Sequence, residues 1–152
     1  MAIECILPQS RIDAMAAAGH WLDKLIIDYL DEAVAARPDH PAYIGLNSTT
    51  GQTTRHSYAE LDAMVTRIAL GLVGHGIEAG DVVSIQLPNW WQFPALHMAC
   101  MRIGAVTNPL MPIFRQRELG FMLGLNESRA IFVPQSFRAF DYPEMIADVR
   151  SE

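Results

Sequence analysis

The 152 residues suffice for one domain with a hydrophobic core, since 51% of them are hydrophobic and 18% are charged. The net charge of −6 and the scattered basic residues argue against a nucleic-acid-binding surface. No apolar run reaches the roughly 18 residues that a membrane span needs, and the amino terminus lacks the basic leader of a signal peptide. We therefore expect a soluble cytosolic protein.

The first half of the chain predicts a helix, a hairpin and a second helix. The helix over 21–36 rests on apolar residues at helical spacing, namely Leu22, Leu25, Ile26, Tyr29, Leu30, Ala33 and Val34. Prolines 38 and 41 end it, and 42–46 predicts a strand that turn residues connect to a second strand running into Arg55. Ser57 and Glu60 form a capping box that opens the next helix. The buried side chains of that helix are predicted to be Leu61, Val65, Ile68 and Leu72.

The second half alternates strands and helices. Strands are predicted at 81–87, 105–110 and 129–134, helices at 90–104 and 115–126, and a further helix beginning in the last residues. We expect Asn89 to cap the helix at 90–104, where Pro94 is tolerable only in the first turn. Short links of this kind imply parallel strands that are joined by right-handed crossovers and buried on both faces. The sequence thus predicts an α/β fold with a mostly parallel sheet and flanking helices.

Three segments fall at the carboxyl ends of the predicted parallel strands, the edge where ligands bind in such sheets. These segments are Pro88-Asn89, Asn108 to Phe114, and Pro134-Gln135. The middle one holds Pro109 and Pro112, each of which lacks an amide donor and fixes φ. We therefore expect the chain to leave its strand there as a stiff, apolar elbow.

Two glycine-containing segments resemble nucleotide-binding loops only superficially. The segment STTGQTT, 48–54, has hydroxyls and free amides that suit phosphate, but no lysine follows and no buried helix opens directly after it. We interpret it as a hairpin turn. The segment GLVGHG, 71–76, ends a helix instead of following a strand, so we interpret it as a helix stop.

His97 and Cys100 lie at i, i+3 spacing on one helix face, which would bring two metal ligands together. No further cysteine or histidine is near in sequence and the neighbours are apolar, so core packing is favoured. The other cysteine, Cys5, is far from Cys100, which indicates neither a disulfide framework nor a metal site and favours a reducing compartment.

Aromatic and basic residues supply the remaining candidates for a site. Trp90, Trp91 and Phe93 either line a ligand pocket at the strand ends or bury area against a neighbouring layer. Arg115 and Arg117 begin a helix whose amino end favours anions, so they are candidates for binding a phosphate. The alternative is a solvated charged turn beside Glu118. The residues alone indicate no Ser-His-acid or paired-carboxylate arrangement and no catalytic or metal-binding residue.

The run from His56 to Leu123 resembles the amino-terminal part of the acyl-adenylate-forming enzymes, which include acyl-CoA synthetases and aryl-acid ligases. The resemblance is carried by YAEL opening a helix, GIEAGDVV entering a strand, LPN leaving it, and GAV…PL.P followed by REL. It extends, in order, over about 21–134. Within the family, NWWQF with NPLMPIFRQREL is most similar to cyclohexanecarboxylate-CoA ligase and related short- and medium-chain ligases.

The resemblance implies the fold of the family's amino-terminal subdomain over 21–152, after an extension at 1–20. It also implies a two-step reaction that uses ATP, Mg²⁺ and CoA and acts on a small carboxylic acid. The family's lysine-terminated Ser/Thr/Gly-rich loop and its adenine- and ribose-binding motifs come after the matched segment, and Thr54-Arg55 stands where Pro-Lys would follow. We therefore expect an inactive amino-terminal fragment of a longer ligase that binds no cofactor tightly.

In some CoA ligases an arginine near the position of Ile113 contacts the CoA phosphate, and here Arg115 follows two residues later. Arg115 and Arg117 are therefore our candidates for CoA phosphate contacts. Two other hypotheses stay open: a standalone interaction or dimerisation module, and a dinucleotide oxidoreductase, which the missing glycine-rich turn disfavours. An exposed apolar face would favour the fragment, and we expect some self-association through it. The acid itself is not specified by these residues.

Overall fold

The computed structural model describes residues 7–151. Within that range the helices are α1 Gln9–Ala17, α2 Ile26–Ala36, α3 Tyr58–Gly74, α4 Gln92–Arg102, α5 Gln116–Leu125 and α6 Tyr142–Ser151. The strands are β1 Pro41–Leu46, β2 Thr53–Ser57, β3 Val82–Ile85, β4 Val106–Pro109, β5 Ala130–Phe132, β6 Ser136–Phe137 and β7 Phe140–Asp141. The predicted alternation of strands and helices after residue 80 is confirmed, as is the final helix.

A parallel sheet with the strand order β4-β3-β5 organises the fold. In its register Val83 of β3 pairs with Thr107 of β4 and with Ala130 of β5. This arrangement confirms the predicted α/β class. The prediction that every strand is buried on both faces is wrong for β4 and β5, which are half-buried. Among the described residues each of them pairs on one side only, whereas β3 is enclosed by both.

The hydrophobic core lies on both faces of this sheet. One cluster joins α2, α3 and α4 to β3 and includes Leu30, Val65, Val83 and Leu96. The other joins the segment after β4 to α5 and α6 through Leu110, Leu119, Tyr142 and Met145. None of the helices in 7–151 is long and apolar enough to cross a bilayer.

The helix-opening and turn predictions in the first half are confirmed by their hydrogen bonds. Ser57 Oγ accepts the Glu60 N–H at 3.2 Å, and Glu60 Oε2 accepts the Ser57 N–H at 2.8 Å, so the capping box is complete. The β1–β2 turn is closed by Asn47, whose carbonyl oxygen accepts the Gly51 N–H at 2.8 Å. Gly51 has φ +70°, and Gly76, which follows α3, has φ +79°. STTGQTT is therefore a hairpin turn, and GLVGHG is a helix stop.

The predicted start of the first long helix is wrong, and its predicted apolar stripe is correct only in part, since Leu30 is buried and Val34 packs against the core. The helix begins at Ile26, because the Asp28 carboxylate accepts the Leu25 N–H at 2.7 Å and caps the helix there. Ile27 and Leu30 are the buried residues of α2, whereas the predicted stripe residues Leu22, Leu25, Ile26 and Tyr29 are exposed. Two neighbouring helices, α3 and α4, contact α2, and their packing selects the Ile27–Leu30 side.

Asn89 is not the cap of α4, and this prediction is also wrong. Trp91 precedes the helix, while the Asn89 carbonyl accepts the Tyr43 hydroxyl at 3.1 Å. Pro94 is the third residue of α4, which confirms its place in the first turn. Helix α1 and the β6–β7 hairpin were not predicted from the sequence. The interpretation of Cys5 concerns a residue outside the described range.

Candidate functional site

The carboxyl ends of β3 and β4 open into a cleft of about 380 Å³. We name residues 109–114 the elbow, and this cavity the elbow cleft. Its lining residues are Leu46, Ser48, Leu87, Pro88, Asn89, Trp90, Met111, Pro112, Ile113, Phe137 and Arg138. Its walls are therefore the β1–β2 hairpin, the turn after β3, the elbow and the β6–β7 hairpin.

Two of the three segments predicted to mark the ligand edge meet in this cleft. Pro88-Asn89 and the elbow face each other across it. The third segment, Pro134-Gln135, lines a separate hollow, which shares Leu87 and Trp90 with the cleft. The parallel register of β3 and β4 causes this meeting, because Ile85 pairs with Pro109 and both strands end at the same level.

The three aromatic residues after β3 divide between the two roles that the sequence left open. Trp90 lines the elbow cleft and meets Phe137 edge to face. Trp91 lies edge-on to His56 of β2, with ring centroids 5.3 Å apart, and Phe93 stacks on His97 at 6.1 Å. Trp90 thus belongs to the candidate site, while Trp91 packs against the hairpin and Phe93 packs within α4.

The guanidinium of Arg115 is engaged with the elbow itself. Its Nη1 donates to the carbonyl oxygens of Pro112 at 2.8 Å and Phe114 at 2.9 Å, and its charged carbon lies 3.9 Å from the centre of the Phe140 ring. Arg117 is exposed on the first turn of α5. Neither residue lines the elbow cleft, and a contact of either with CoA phosphate stays a prediction.

The first turn of α5 has a carboxylate cap. Glu118 Oε2 accepts the Arg115 N–H at 3.0 Å. This hydrogen bond, with smaller contributions from the Arg117 and Arg115 charges, lowers the pKa of Glu118. The carboxylate satisfies a backbone donor that a helix start leaves open, and this offsets the unfavourable placement of two arginines there.

Arg138 is a site residue that the sequence did not reveal. Among the described residues that line the elbow cleft it is the only one with a positive charge, and its guanidinium lies 5.1 Å from the centre of the Phe137 ring. It occupies the two-residue turn between β6 and β7, where Arg138 and Ala139 have φ of +53° and +57°. Type I′ turns of this kind favour Asn-Gly, so Arg-Ala gave no hairpin indication.

Gln86 is the second residue that was missed. It follows β3, is fully buried, and donates from Nε2 to the carbonyl oxygens of Met111 at 3.1 Å and Phe114 at 3.0 Å. The apolar neighbours of Gln86 in the sequence suggested only a buried strand. Its contacts reach across the fold, so no local pattern could have identified them.

His97 and Cys100 are packing residues, as the interpretation of the sequence held. Cys100 lies in the core, where burial raises the pKa of its thiol to about 11. Burial lowers the pKa of His97, and its ring stacks on Phe93. Within the described part of the chain, no three His, Cys, Asp or Glu side chains come together in a way that would hold a metal ion.

Comparison with known proteins identifies the family to which this fold belongs. A family model described as AMP-binding enzyme matches residues 30–152, which include every wall of the elbow cleft. The chain belongs to the AMP-binding enzyme family. This membership confirms the resemblance at the level of the family, with homologues among the acyl-CoA, aryl-CoA and acid-AMP ligases.

Curated relatives of this chain are named for different acids. It is 28% identical over 152 residues to the medium-chain fatty-acid–CoA ligase of Escherichia coli, covering all of this chain and 26% of that enzyme. It is 33% identical to a 2-hydroxy-7-methoxy-5-methyl-1-naphthoate–CoA ligase of Streptomyces carzinostaticus, covering 88% of this chain and 23% of that one. The salicyl-AMP ligase of Mycobacterium tuberculosis is also 33% identical, with 93% and 25% covered.

Solved structures agree with this assignment. Apo MbtA of Mycobacterium smegmatis superposes with a TM-score of 0.81 at 33% identity, over 95% of this chain and 25% of that one. The amino-terminal domain of FACL13 from Mycobacterium tuberculosis gives 0.71 at 26% identity, over 85% and 30%. This member of the family spans about a quarter of the length of the curated relatives it matches.

Proposed function

We propose that this chain forms the amino-terminal part of an ATP-dependent carboxylic acid–CoA ligase. In the proposed reaction a carboxylate attacks the α-phosphate of ATP, giving an acyl-adenylate and pyrophosphate. The CoA thiol then attacks the acyl carbonyl and releases AMP, leaving a thioester. Membership of the AMP-binding family is the observation that carries this proposal, and the CoA ligases among the relatives support it.

The nucleotide-activating groups are assigned outside this chain. The sequence contains a single lysine, Lys24, and this residue pairs with Glu32 at 2.5 Å and lies over the Tyr29 ring, remote from the elbow cleft in sequence and absent from its lining. The carboxylates of the described residues form no cluster that suits Mg²⁺, so no ligand for the ion is assigned here. The 152-residue chain is therefore expected to be inactive by itself.

CoA is the proposed acyl acceptor, and the elbow cleft is its candidate contact surface. An apolar wall beside the Arg138 charge suits a ligand that carries both an extended thiol arm and phosphate groups. Arg115 and Arg117 stay as further candidates for phosphate contacts. In the complete ligase, Arg138→Ala is expected to raise the KM for CoA while sparing carboxylate-dependent ATP–pyrophosphate exchange.

A protein carrier is the competing acceptor, because some relatives are acid-AMP ligases and one is named a salicyl-S-ArCP synthetase. Thioester formation with free CoA, followed by mass spectrometry, separates the two. Acyl-adenylate formation without any CoA thioester would contradict the CoA assignment and leave the adenylation assignment intact.

The residues of this chain do not themselves specify the acid. The resemblance of NWWQF and NPLMPIFRQREL to the cyclohexanecarboxylate-CoA ligase group makes cyclohexanecarboxylate the acid that we propose for testing. A panel of cyclohexanecarboxylate, octanoate and salicylate, compared by kcat/KM in the exchange reaction, tests it. The proposal predicts the highest value for cyclohexanecarboxylate. A higher value for octanoate or salicylate would contradict it.

A standalone interaction module is the second candidate function. A polar, closed surface would favour it, whereas the fragment is favoured by the exposed apolar side chains of the described range. They include Trp21, Leu22, Leu25, Ile26, Leu70, Phe121 and Leu125. Exposed apolar patches mark surfaces that pack against other protein. Light scattering across a concentration series measures the expected self-association of the 152-residue chain, and the exchange reaction in a longer gene product distinguishes the ligase part from a module.

A further inference from the structure

Gln86 occupies the end of the central strand and joins two neighbouring segments. Its backbone N–H donates to the Phe132 carbonyl at 2.9 Å, which continues the β3–β5 pairing. Its side chain donates to Met111 and Phe114 on the opposite side, where the elbow leaves β4. Beside the Leu110 N–H, which donates to the Ile85 carbonyl, a fully buried side-chain amide thus ties the elbow to the central strand.

Three carbonyl oxygens of the elbow, those of Met111, Pro112 and Phe114, each accept two hydrogen bonds. The Met111 oxygen accepts from Gln86 and from the Phe114 N–H at 3.1 Å, and the Phe114 oxygen accepts from Gln86 and Arg115. The Pro112 oxygen accepts from Arg115 and from the Tyr142 hydroxyl, both at 2.8 Å. A carbonyl oxygen has two lone pairs, so all three are saturated. The elbow backbone is therefore held inward by these bonds.

Because the elbow carbonyls point into the protein, the side chains of Met111 and Ile113 point towards the solvent. Met111 is 54% exposed and Ile113 is 64% exposed, and both line the elbow cleft. Leu110 is buried on the other side. Two large apolar side chains are thus fixed in an exposed position by a saturated backbone, which makes them a preformed wall.

The polarity of Gln86 is not needed to fill the space it occupies. Its Nε2 must face the two carbonyls, because an oxygen placed there would repel them, and its Oε1 then finds no donor among the described residues. An unsatisfied buried acceptor is costly, whereas a methionine of similar size would carry no such cost. The two donated bonds are therefore the distinguishing contribution of this side chain.

We propose that Gln86 is a positioning residue, whose buried amide fixes the elbow and thereby sets the Met111–Ile113 wall against which the acyl acceptor packs. The part that concerns the acceptor rests on the proposed ligase function. The part that concerns the elbow stands on the geometry alone, so the two are tested by separate measurements.

Hydrogen exchange of the 152-residue chain tests the elbow. The Leu110 and Phe114 amides donate to the Ile85 and Met111 carbonyls. In Gln86→Met these two amides are expected to exchange about tenfold faster than in the wild type. The variant loses two donated hydrogen bonds but also loses an unsatisfied acceptor, which together amount to about one hydrogen bond of stability. The Val106 amide, which bonds to Asp81 at the other end of the sheet, should keep its rate. Gln116→Met, a matched change at an exposed position, should alter none of them. Unchanged elbow amides in Gln86→Met would overturn the proposal.

A charge variant separates hydrogen-bond donation from packing. Burial and the two facing carbonyls raise the pKa of a carboxyl group in Gln86→Glu, and the protonated acid has one O–H donor whereas the ionised form has none. The elbow amides, each compared with the wild type at the same pH, should therefore be more protected at low pH than at high pH. Gln116→Glu is the control. If the ratio of the exchange rates in Gln86→Glu and in the wild type were the same at every pH, the role of Gln86 as a hydrogen-bond donor would be overturned.

Kinetics of the longer ligase test the acceptor wall. Gln86→Met is expected to raise the KM for CoA about tenfold and to leave carboxylate-dependent ATP–pyrophosphate exchange unchanged. A wild-type ligase that shows no ATP–pyrophosphate exchange would refute the proposed function. The hydrogen-exchange experiment would still test whether Gln86 fixes the elbow. If Gln86→Met loosens the elbow but leaves the KM for CoA unchanged, the proposal that the acyl acceptor packs against Met111 and Ile113 would be overturned. If Gln86→Met does not fold, Tyr142→Phe, which removes only the hydroxyl bond to Pro112, takes its place with the same expectations.

Discussion

Trp90 and Phe137 meet edge to face, with ring centroids 5.8 Å apart and ring planes at 88°. Trp90 belongs to the turn after β3, and Phe137 belongs to the β6–β7 hairpin. Their contact therefore joins two walls of the elbow cleft that are distant in the sequence. Perpendicular aromatic pairs of this kind stabilise beyond the area they bury.

Replacement of Trp90 tests this joint. Trp90→Ala is expected to lower the free energy of unfolding by about 2 kcal/mol, since a half-buried indole and its ring contact are lost. Urea denaturation measures it, and Trp90→Phe should retain most of the stability. Trp21→Ala, at an exposed indole, is the control. Equal losses of unfolding free energy in Trp90→Ala and Trp21→Ala would contradict a stabilising contact between Trp90 and Phe137.

The β6–β7 turn stores backbone strain that one substitution can relieve. Ala139 has φ +57°, a conformation in which a Cβ costs about 1–2 kcal/mol and glycine costs little. Ala139→Gly should therefore raise the free energy of unfolding by about 0.5 kcal/mol after the added chain entropy is subtracted. Ala35→Gly, inside α2, should instead lower it by about 1 kcal/mol. Thermal denaturation of both variants checks the opposite signs, and a loss at Ala139 would refute the strain.

Arg102 connects three helices at the end of α4. Its Nη2 lies 2.7 Å from Asp31 of α2 and 2.8 Å from Asp62 of α3, and its Nη1 donates to Thr66 at 2.6 Å. Arg102→Met should destabilise by about 1 kcal/mol, because both carboxylates are partly exposed and the loss is screened. The difference should shrink in 1 M salt. Arg67→Met, at an exposed position of α3, serves as the control, and an equal effect there would argue against the three-helix contact.

The Cys100 thiol is expected to be inert in the folded chain. With its pKa raised to about 11 it carries no charge at pH 8, and the thiolate is the reactive species. In Cys5→Ser, where Cys100 is the single cysteine left, a disulfide reagent should react slowly until urea unfolds the chain. Rapid reaction without denaturant would contradict this burial.

The same shift predicts a loss of stability in alkali. The pKa of the Cys100 thiol is near 9 in the unfolded chain and about 11 in the folded chain. The contribution of the neutral buried thiol to the free energy of unfolding is therefore complete below pH 9 and is lost as the pH rises through 11. Denaturation midpoints at pH 8 and pH 10.5 should therefore fall further in Cys5→Ser than in the same variant carrying Cys100→Ala. Parallel falls in the two proteins would contradict the assignment.

Elements fixed by neighbours in the sequence were predictable. The Ser57–Glu60 box, the Asn47 turn and the strands around Ser84 each depend on residues only a few positions apart or on a short apolar run. The family resemblance followed from the same local motifs in their order. Their patterns were informative because each is specified by residues that lie close together in the sequence.

Features that depend on distant partners were not predictable. Gln86 looked like part of a buried strand, and only the folded elbow reveals its two acceptors. The Arg138-Ala139 turn lacks the residues that its backbone favours, and the hairpin contacts Trp90 through Phe137, a residue far from Trp90 in the sequence. The apolar side of α2 at Ile26 and Tyr29 satisfied the helical period but faces solvent, since periodicity does not specify which neighbours are present.

We have proposed that these residues form the amino-terminal part of an acid-activating ligase and lack the groups that bind triphosphate. The decisive experiment is carboxylate-dependent ATP–pyrophosphate exchange, measured in parallel on the purified 152-residue chain and on the longer gene product. We predict exchange in the longer protein and none above background in the chain. Exchange by the 152-residue chain alone, or its absence from a folded longer protein across the acid panel, would contradict the account.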